Sequence, residues 1–278
     1  MPTLQDLRAA AAGFQTTVKM PALFVGHGSP MNALADNAFT QALHQLGQDI
    51  RNRQPPRAIL VVSAHWLTRG TFAALNERPE TIHDFGGFPQ ELFEVQYPAP
   101  GAPDVAQQVL AALPDAHGTT EWGLDHGSWS ILLHLFPEAD IPVFQLSIDY
   151  HRPLSYHAEL AQQLQFLRRR GVLVVGSGNI VHNLRESIPQ LMRNDPAPHA
   201  WAEEFDAWAK TKIDRRDLAA LAHPQQAGAS GPLAVPTPDH YIPLLYSLAL
   251  AEPDDELRHV YEEVSFGGIS MRTFVMGK

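Results

Sequence analysis

The chain has 278 residues, 45% of them hydrophobic and 18% charged, a globular balance that easily buries a core as one large α/β domain or two small ones. Its formal net charge of -10 argues against a nucleic-acid-binding surface, and no basic cluster exceeds Arg168-Arg169-Arg170. Cysteine is absent, which removes disulfides, thiolate ligands and a cysteine nucleophile, is compatible with the cytoplasm, and leaves His, Asp and Glu to hold any metal.

Met1 to Met20 lacks the basic start and apolar core of a signal peptide, and no apolar run along the chain is long enough to span a bilayer. Thr3 to Ala12 is predicted to be a short helix, with Thr3 as N-cap and Gly13 past its end. Because it precedes the first strand, residues 1–19 are read as an appendage and residues 20–278 as one domain. Ala22-Leu-Phe-Val-Gly-His27-Gly-Ser-Pro30 then delivers a histidine from an apolar run into a Gly/Pro turn. Asp36 to Arg51 has helical spacing through Phe39, Leu43, Leu46 and Ile50. Ala58-Ile-Leu-Val-Val-Ser-Ala-His65-Trp66 reads as a strand buried on both faces, as in a parallel sheet, and it too ends on a histidine.

Thr71 to Leu75 is expected to form a neighbouring strand. Glu77 to Pro89 is a polar loop in which Phe85-Gly-Gly-Phe88 joins two apolar rings through a permissive backbone, suited either to a lid or to packing on the core. Ala102 to Leu113 reads as a helix, and the glycine-punctuated Glu121–Trp129 stretch leads into another through Leu135. A strand over Ile141–Ile148, a helix over Leu154–Arg170 and a strand over Gly171–Gly176 follow, the last with His182 a few residues beyond. His199 to Lys212 is amphipathic, Ala222 to Pro238 an irregular loop, and Pro236-Thr-Pro-Asp-His240-Tyr-Ile-Pro243 enters a helix to Leu250. Val260 to Val275 has strand character, with Gly267-Gly268 as a bulge or kink. Alternating strands and helices without a linker predict a three-layer α/β/α single domain, and trailing strands without a crossover helix predict a mixed sheet.

No complete dinucleotide fingerprint, Walker sequence or serine nucleophile elbow is present. The 14 histidines therefore carry the search for chemistry. His44, His117, His134, His157, His199, His223 and His259 fall on helix faces or polar loops and read as structural, while His83 and His151 are ambiguous. His27, His65, His126, His182 and His240 remain, each beside Gly, Pro, Asn or Trp in a turn near a strand end or helix start. Ligands bind beyond the carboxyl ends of strands in open α/β sheets. A cluster of imidazoles without thiolates suits Zn, Fe, Cu or Ni, and a catalytic site needs about three protein ligands.

Six stretches together make the chain recognisable: Gly26-His27-Gly-Ser-Pro-Met, Ser63-Ala-His65-Trp66, His83-Asp-Phe-Gly-Gly-Phe-Pro, Gly123-Leu-Asp-His126-Gly-Ser-Trp129, Gly176-Ser-Gly-Asn-Ile-Val-His182-Asn and Pro238-Asp-His240. In this order they resemble the DODA-type extradiol aromatic ring-opening dioxygenases, the 4,5-DOPA dioxygenase branch of the class III, LigB-like superfamily, from about Met20 to Lys278. The resemblance implies a single α/β/α domain with one non-haem divalent metal per chain, iron(II) for activity and often zinc(II) in purified protein. It implies His27, His65 and His240 as ligands, His182 as a further ligand or an acid–base residue, and His126 facing substrate or oxygen. The wider superfamily commonly places glutamate where His240 stands.

A small catechol and O2 are the implied partners, a muconic semialdehyde-type acid the product, and the enzyme a monomer or small homo-oligomer. His83, Phe88 and Trp129 are the candidates to touch substrate. Two other readings stay open: a zinc-dependent hydrolase using the same histidines with Asp125 or Asp239 as base, and a non-catalytic metal-binding protein. Those two aspartates could equally orient histidines or cap helices.

Overall fold

A computed structural model describes residues 18–277; the helix expected at Thr3–Ala12 lies outside the described residues. The strands in chain order are β1 (Ala22–Gly26), β2 (Ala58–Ser63), β3 (Leu67–Thr68), β4 (Thr71–Ala74), β5 (Ala116–Thr119), β6 (Val143–Gln145), β7 (Ile148–Asp149), β8 (Val172–Gly178), β9 (Leu257–Tyr261), β10 (Val264–Ser265), β11 (Ile269–Ser270) and β12 (Thr273–Met276). Six of them form the central sheet in the order β6-β2-β8-β1-β12-β9. The β6, β2, β8 and β1 pairings are parallel, and β12 runs antiparallel to both β1 and β9, so the sheet is mixed.

Every residue of β1, β2 and β8 is buried, as strands covered on both faces require. Period-two alternation divides their side chains between two cores. Ala22, Phe24, Leu60, Val62, Val172 and Val174 face helices Pro103–Ala112, Leu154–Gln162, Ala200–Asp214 and Ile242–Ala249. Leu23, Val25, Ile59, Val61, Leu173 and Val175 face helices Ala38–Arg53 and His126–Leu135. This is the expected three-layer α/β/α arrangement. The Ala38–Arg53 helix shows how locally the sequence writes such an element. Asn37 and Thr40 form a reciprocal capping box at its start, and Arg51 and Arg53 complement the dipole at its end.

Four expectations are corrected. β4 leaves the central sheet and pairs in parallel with β5 in a separate two-stranded sheet, after a turn at Gly70 (φ +85°) redirects the chain. The strand expected over Ile141–Ile148 breaks into β6 and β7, where Ser147 hydrogen-bonds to the Phe72 backbone in both directions, at 2.8 Å each. The helix expected through Arg170 is α-helical only to Gln162 and ends as a 3-10 turn, Gln165–Arg170, closed by left-handed Gly171. The irregular stretch before Pro238 holds short helical turns at Pro224–Ala227 and Ser230–Ala234. Gly267 and Gly268 lie in the β10–β11 hairpin turn, where Phe266 and Gly267 take successive positive φ values of 46° and 77°.

Candidate active site

Parallel β1, β2 and β8 end at one edge of the sheet, and three histidine-bearing segments leave from it. His27 follows the last residue of β1, its backbone N–H donating to the Gly178 carbonyl at 3.0 Å. His65 stands just beyond β2, and Gly127, at the start of the Asp125-capped helix, packs on its ring: a Cβ there would come within 2.8 Å of His65 Cδ2. His240 arrives from the far end of the chain, and the end of β8 makes room for it. A Cβ at Gly178 would sit 2.1 Å from the His240 carbonyl oxygen, which instead accepts from the Asn179 N–H at 2.9 Å. The ligand-capable nitrogens of His27, His65 and His240 all lie within 4.8 Å of one another, a group that could hold a metal ion.

Neighbouring hydrogen bonds fix ring orientation. Ser177 Oγ donates to the Gly127 carbonyl at 2.5 Å, so it accepts from His27 Nδ1 at 2.9 Å. His27 therefore carries its proton on Nδ1 and turns the Nε2 lone pair toward His65 Nε2, 3.2 Å away. Burial, then neighbouring His65, pushes His27 well below the ordinary histidine pKa; burial, then His126, does the same to His65. Both rings are neutral at pH 7, with lone pairs available.

Two ionised aspartates flank the cluster. Asp84 accepts from the His126 backbone N–H and from His126 Nδ1, each at 2.9 Å, and its second oxygen lies 3.6 Å from His65 Nδ1. Burial opposes its ionisation, but the His126 hydrogen bonds hold its carboxyl below the usual range. Asp239 accepts from His240 Nδ1, and that bond likewise outweighs burial to keep it ionised. His126 lies 3.8 Å from His65, centroid to centroid, at 46°, whereas His182 stacks on His240 at 3.5 Å with planes only 8° apart. Burial, reinforced by His240, pushes His182 down to about 3.

Asp125 sits below this layer. It is fully buried, caps the His126–Leu135 helix through Ser128 N–H, and accepts from Ser63 Oγ at 2.6 Å and Gln145 Nε2 at 2.8 Å. Both aspartates considered as hydrolytic bases are thus committed, Asp239 to orienting His240 and Asp125 to capping and bracing. Ser177, which by its place at a strand end reads as a turn or cap residue, instead orients His27, and although Asp84 adjoins His83, nothing local in the sequence indicates that it meets His126.

The aromatic loop closes over the His126 side. Phe85 packs edge-on against His126 at 5.5 Å, and Phe88 stands behind it, edge-on to Phe85 at 5.3 Å. His83 Nε2 donates to the Val95 carbonyl at 3.0 Å. Trp129 is fully buried and its indole N–H donates to the Ile82 carbonyl at 2.8 Å, so it holds the loop from beneath. On the opposite side a cleft of about 550 Å³ opens beside His182 and His240, walled by Leu233 and Pro236. None of the seven histidines read as structural, nor His151, joins a potential metal group among the described residues. His157, for one, is buried against the Tyr246 hydroxyl at 3.2 Å.

An α/β sheet whose carboxyl edge gathers imidazoles between ionised aspartates defines a class of protein with a metal-capable centre beside an open cleft. Comparison with known proteins makes that class particular. Residues 20–272 match the family model described as the catalytic LigB subunit of aromatic ring-opening dioxygenase, and the chain belongs to this family. It is an enzyme of the extradiol ring-cleaving type.

It is 42% identical over 268 residues to 4,5-DOPA dioxygenase extradiol of Escherichia coli K12, covering 94% of this chain and 96% of that protein. It is 32% identical over 256 residues to the Beta vulgaris enzyme of the same name, covering 90% and 94%. The crystal structure of an uncharacterized E. coli K12 protein superposes with a TM-score of 0.78 at 38% identity, over 93% of this chain and all of that one. No helix of the described residues is long and apolar enough to cross a membrane.

Proposed function

We propose that this chain opens a DOPA-like catechol beside its two hydroxyls, placing both atoms of O2 in a muconic semialdehyde-type product, at a divalent metal held by His27, His65 and His240. The observation that carries the reading is the convergence of those three rings. Ligand nitrogens sharing one ion at the usual distance of roughly 2.0–2.1 Å stand about 3.0–3.4 Å apart. The 3.2 Å between His27 Nε2 and His65 Nε2 fits that spacing. When bound there, iron(II), or zinc(II) as an inactive occupant, acidifies the catechol hydroxyls and orients the two reactants.

His182 is assigned to proton transfer. With ring centroids 3.5 Å apart and planes within 8°, His182 and His240 project their lone pairs in near-parallel planes, which supports separate roles for them, although His182, Asp239 and His240 also form a group that could hold an ion. With His240 in the ligand group, His182 is left as a neutral imidazole able to accept a catechol proton and return it. His126 has Nδ1 tied to Asp84, which leaves Nε2 free for a second proton transfer. Phe85 and Phe88 offer apolar rings to a flat substrate and exclude water, and His83, anchored to Val95, holds the head of their loop. Both oxygen atoms enter the product, so no external reductant is consumed. The absence of cysteine supports a cytoplasmic location.

Anaerobic reconstitution with iron(II), followed by a panel of catechols in an oxygen electrode, tests the reading. Oxygen uptake equal to the yellow ring-cleavage product is expected, and hydrolysis without oxygen would overturn it. In the same preparations, His182→Ala should keep its metal and lose turnover; loss of the metal would make His182 a ligand.

A further inference from the structure

We infer that Asp84 is a positioning residue for turnover, fixing the tautomer and rotation of His126 from the aromatic loop, an inference that rests on the catechol reading above. One carboxylate oxygen, Oδ1, accepts from the His126 backbone N–H and from its Nδ1, each at 2.9 Å. An ionised carboxylate only accepts, so Nδ1 carries the hydrogen of that bond. Because the same oxygen grips the main chain and the ring of one residue, it sets the ring's rotation together with its tautomer. Nε2 is then the nitrogen left to take up and release a proton. A ring without that acceptor is free to place its hydrogen on Nε2, where it blocks the lone pair.

Three observations separate this tie from a purely structural one. The helix that His126 begins already has its cap, since Asp125 accepts from the Ser128 N–H at 3.1 Å. The other Asp84 oxygen stands 3.6 Å from His65 Nδ1, beyond hydrogen-bond reach, so the carboxylate is committed to His126 rather than to the proposed ligand. The loop also brings more than a carboxylate: Phe85, the next residue, packs edge-on against the same imidazole at 5.5 Å. The segment that covers the His126 side thus supplies the acceptor that sets its tautomer. Seating of the loop and readiness of His126 to move a proton are therefore one event. Asp84, His65 and His126 offer ligand atoms within 4.8 Å of one another, so metal content belongs in the test.

The test compares the unsubstituted protein with Asp84→Ala and Asp84→Asn, each also made in a His126→Phe background. Oxygen uptake with L-DOPA gives kcat and KM on the iron(II)-loaded enzyme. Long-range proton–nitrogen NMR spectra of zinc-loaded protein carrying isotopically labelled histidine give the tautomer, with the His126 signals identified by their loss in His126→Phe. Asp84→Ala should lower kcat about 10–100-fold and leave KM within about threefold, with metal retained and His126 shifted away from its Nδ1–H form. Asp84→Asn keeps an oxygen acceptor, and should retain that form and recover most of kcat. In the His126→Phe background Asp84→Ala should cost nothing further, as a residue acting through another requires. A comparable loss in both backgrounds, an unchanged tautomer in Asp84→Ala, loss of the metal, or an Asp84→Asn protein as slow as Asp84→Ala would each overturn the inference. An Nδ1–H form that Asp84→Ala abolishes, with no oxygen uptake from any catechol by the unsubstituted protein, would sustain the positioning while removing the dioxygenase reading.

Discussion

At the amino ends of β1 and β8, Arg168 is wholly buried and donates to the Met20, Leu250 and Met276 carbonyls and, through both terminal nitrogens, to Asp255. Lys19 adds a second cation to Asp255 at 2.8 Å. At the carboxyl ends of the same strands, five imidazoles crowd together with nitrogens facing each other across 3.2 Å and rings stacked at 3.5 Å. Both clusters are buried and polar. The first satisfies its donors within the protein, which is how a buried charge becomes framework. The second, in which burial holds His27, His65 and His182 neutral, keeps lone pairs without internal donors, which is how a buried group stays available to a ligand.

Removing a member of each cluster should separate the two roles. The largest effect is expected from His27→Ala or His240→Ala: turnover lost below detection and metal stoichiometry near zero by elemental analysis. The melting of the metal-free form should move by only about 1–2 kcal/mol, because Ser177 keeps its bond to Gly127. Collapse of the metal-free variant would make the histidines framework after all. His126→Phe should lower turnover roughly 10²–10⁴-fold with metal retained, read by single-turnover kinetics beside metal analysis.

Arg168→Met should do the reverse, costing about 3–5 kcal/mol in denaturant titration while metal content and turnover per folded molecule persist. Asp255 gives that pair a pH signature. Burial opposes its ionisation, yet the Arg168 bond prevails and depresses its folded pKa. Its contribution is therefore complete above the unfolded carboxyl pKa of about 3.9 and is lost as pH falls below that value. Replacing both partners with apolar residues should flatten this acid limb.

The smallest effects belong to the aromatic loop. A Cβ at Gly86 meets nothing, so Gly86→Ala should shift stability within about 0.5 kcal/mol, whereas Gly87, at φ +80°, should cost about 1 kcal/mol as alanine. If the loop is a lid, both variants lose kcat/KM beyond those shifts. Normal kinetics in the folded fraction would leave it structural.

The strands were legible as apolar runs, and two of those runs stop at or beside an imidazole, His27 and His65, at the strand ends where such sheets place ligands. Tertiary proximity was not legible: Asp84 and His126 lie 42 residues apart, and no local pattern pairs them. The Leu184–Met192 helix was missed for another reason. Its buried residues are Ser187 and Gln190 while Leu184 and Ile188 are exposed, and Pro189 sits inside it, so it inverts the apolar stripe by which a helix is read. β4 was read as a strand but misplaced, because period-two burial names a strand without naming its sheet.

His27, His65 and His240 come from three distant segments, so no short stretch of the unfolded chain offers the set. On the proposed reading, an ion in that site is a ligand of the folded state alone, and its binding free energy adds to folding by mass action. At a thousandfold excess over Kd the increment is about 4 kcal/mol, comparable to the loss expected from Arg168→Met. Chelation would then act as a denaturant, and the cell's supply of the ion would govern how long each molecule lasts as well as how fast it turns over.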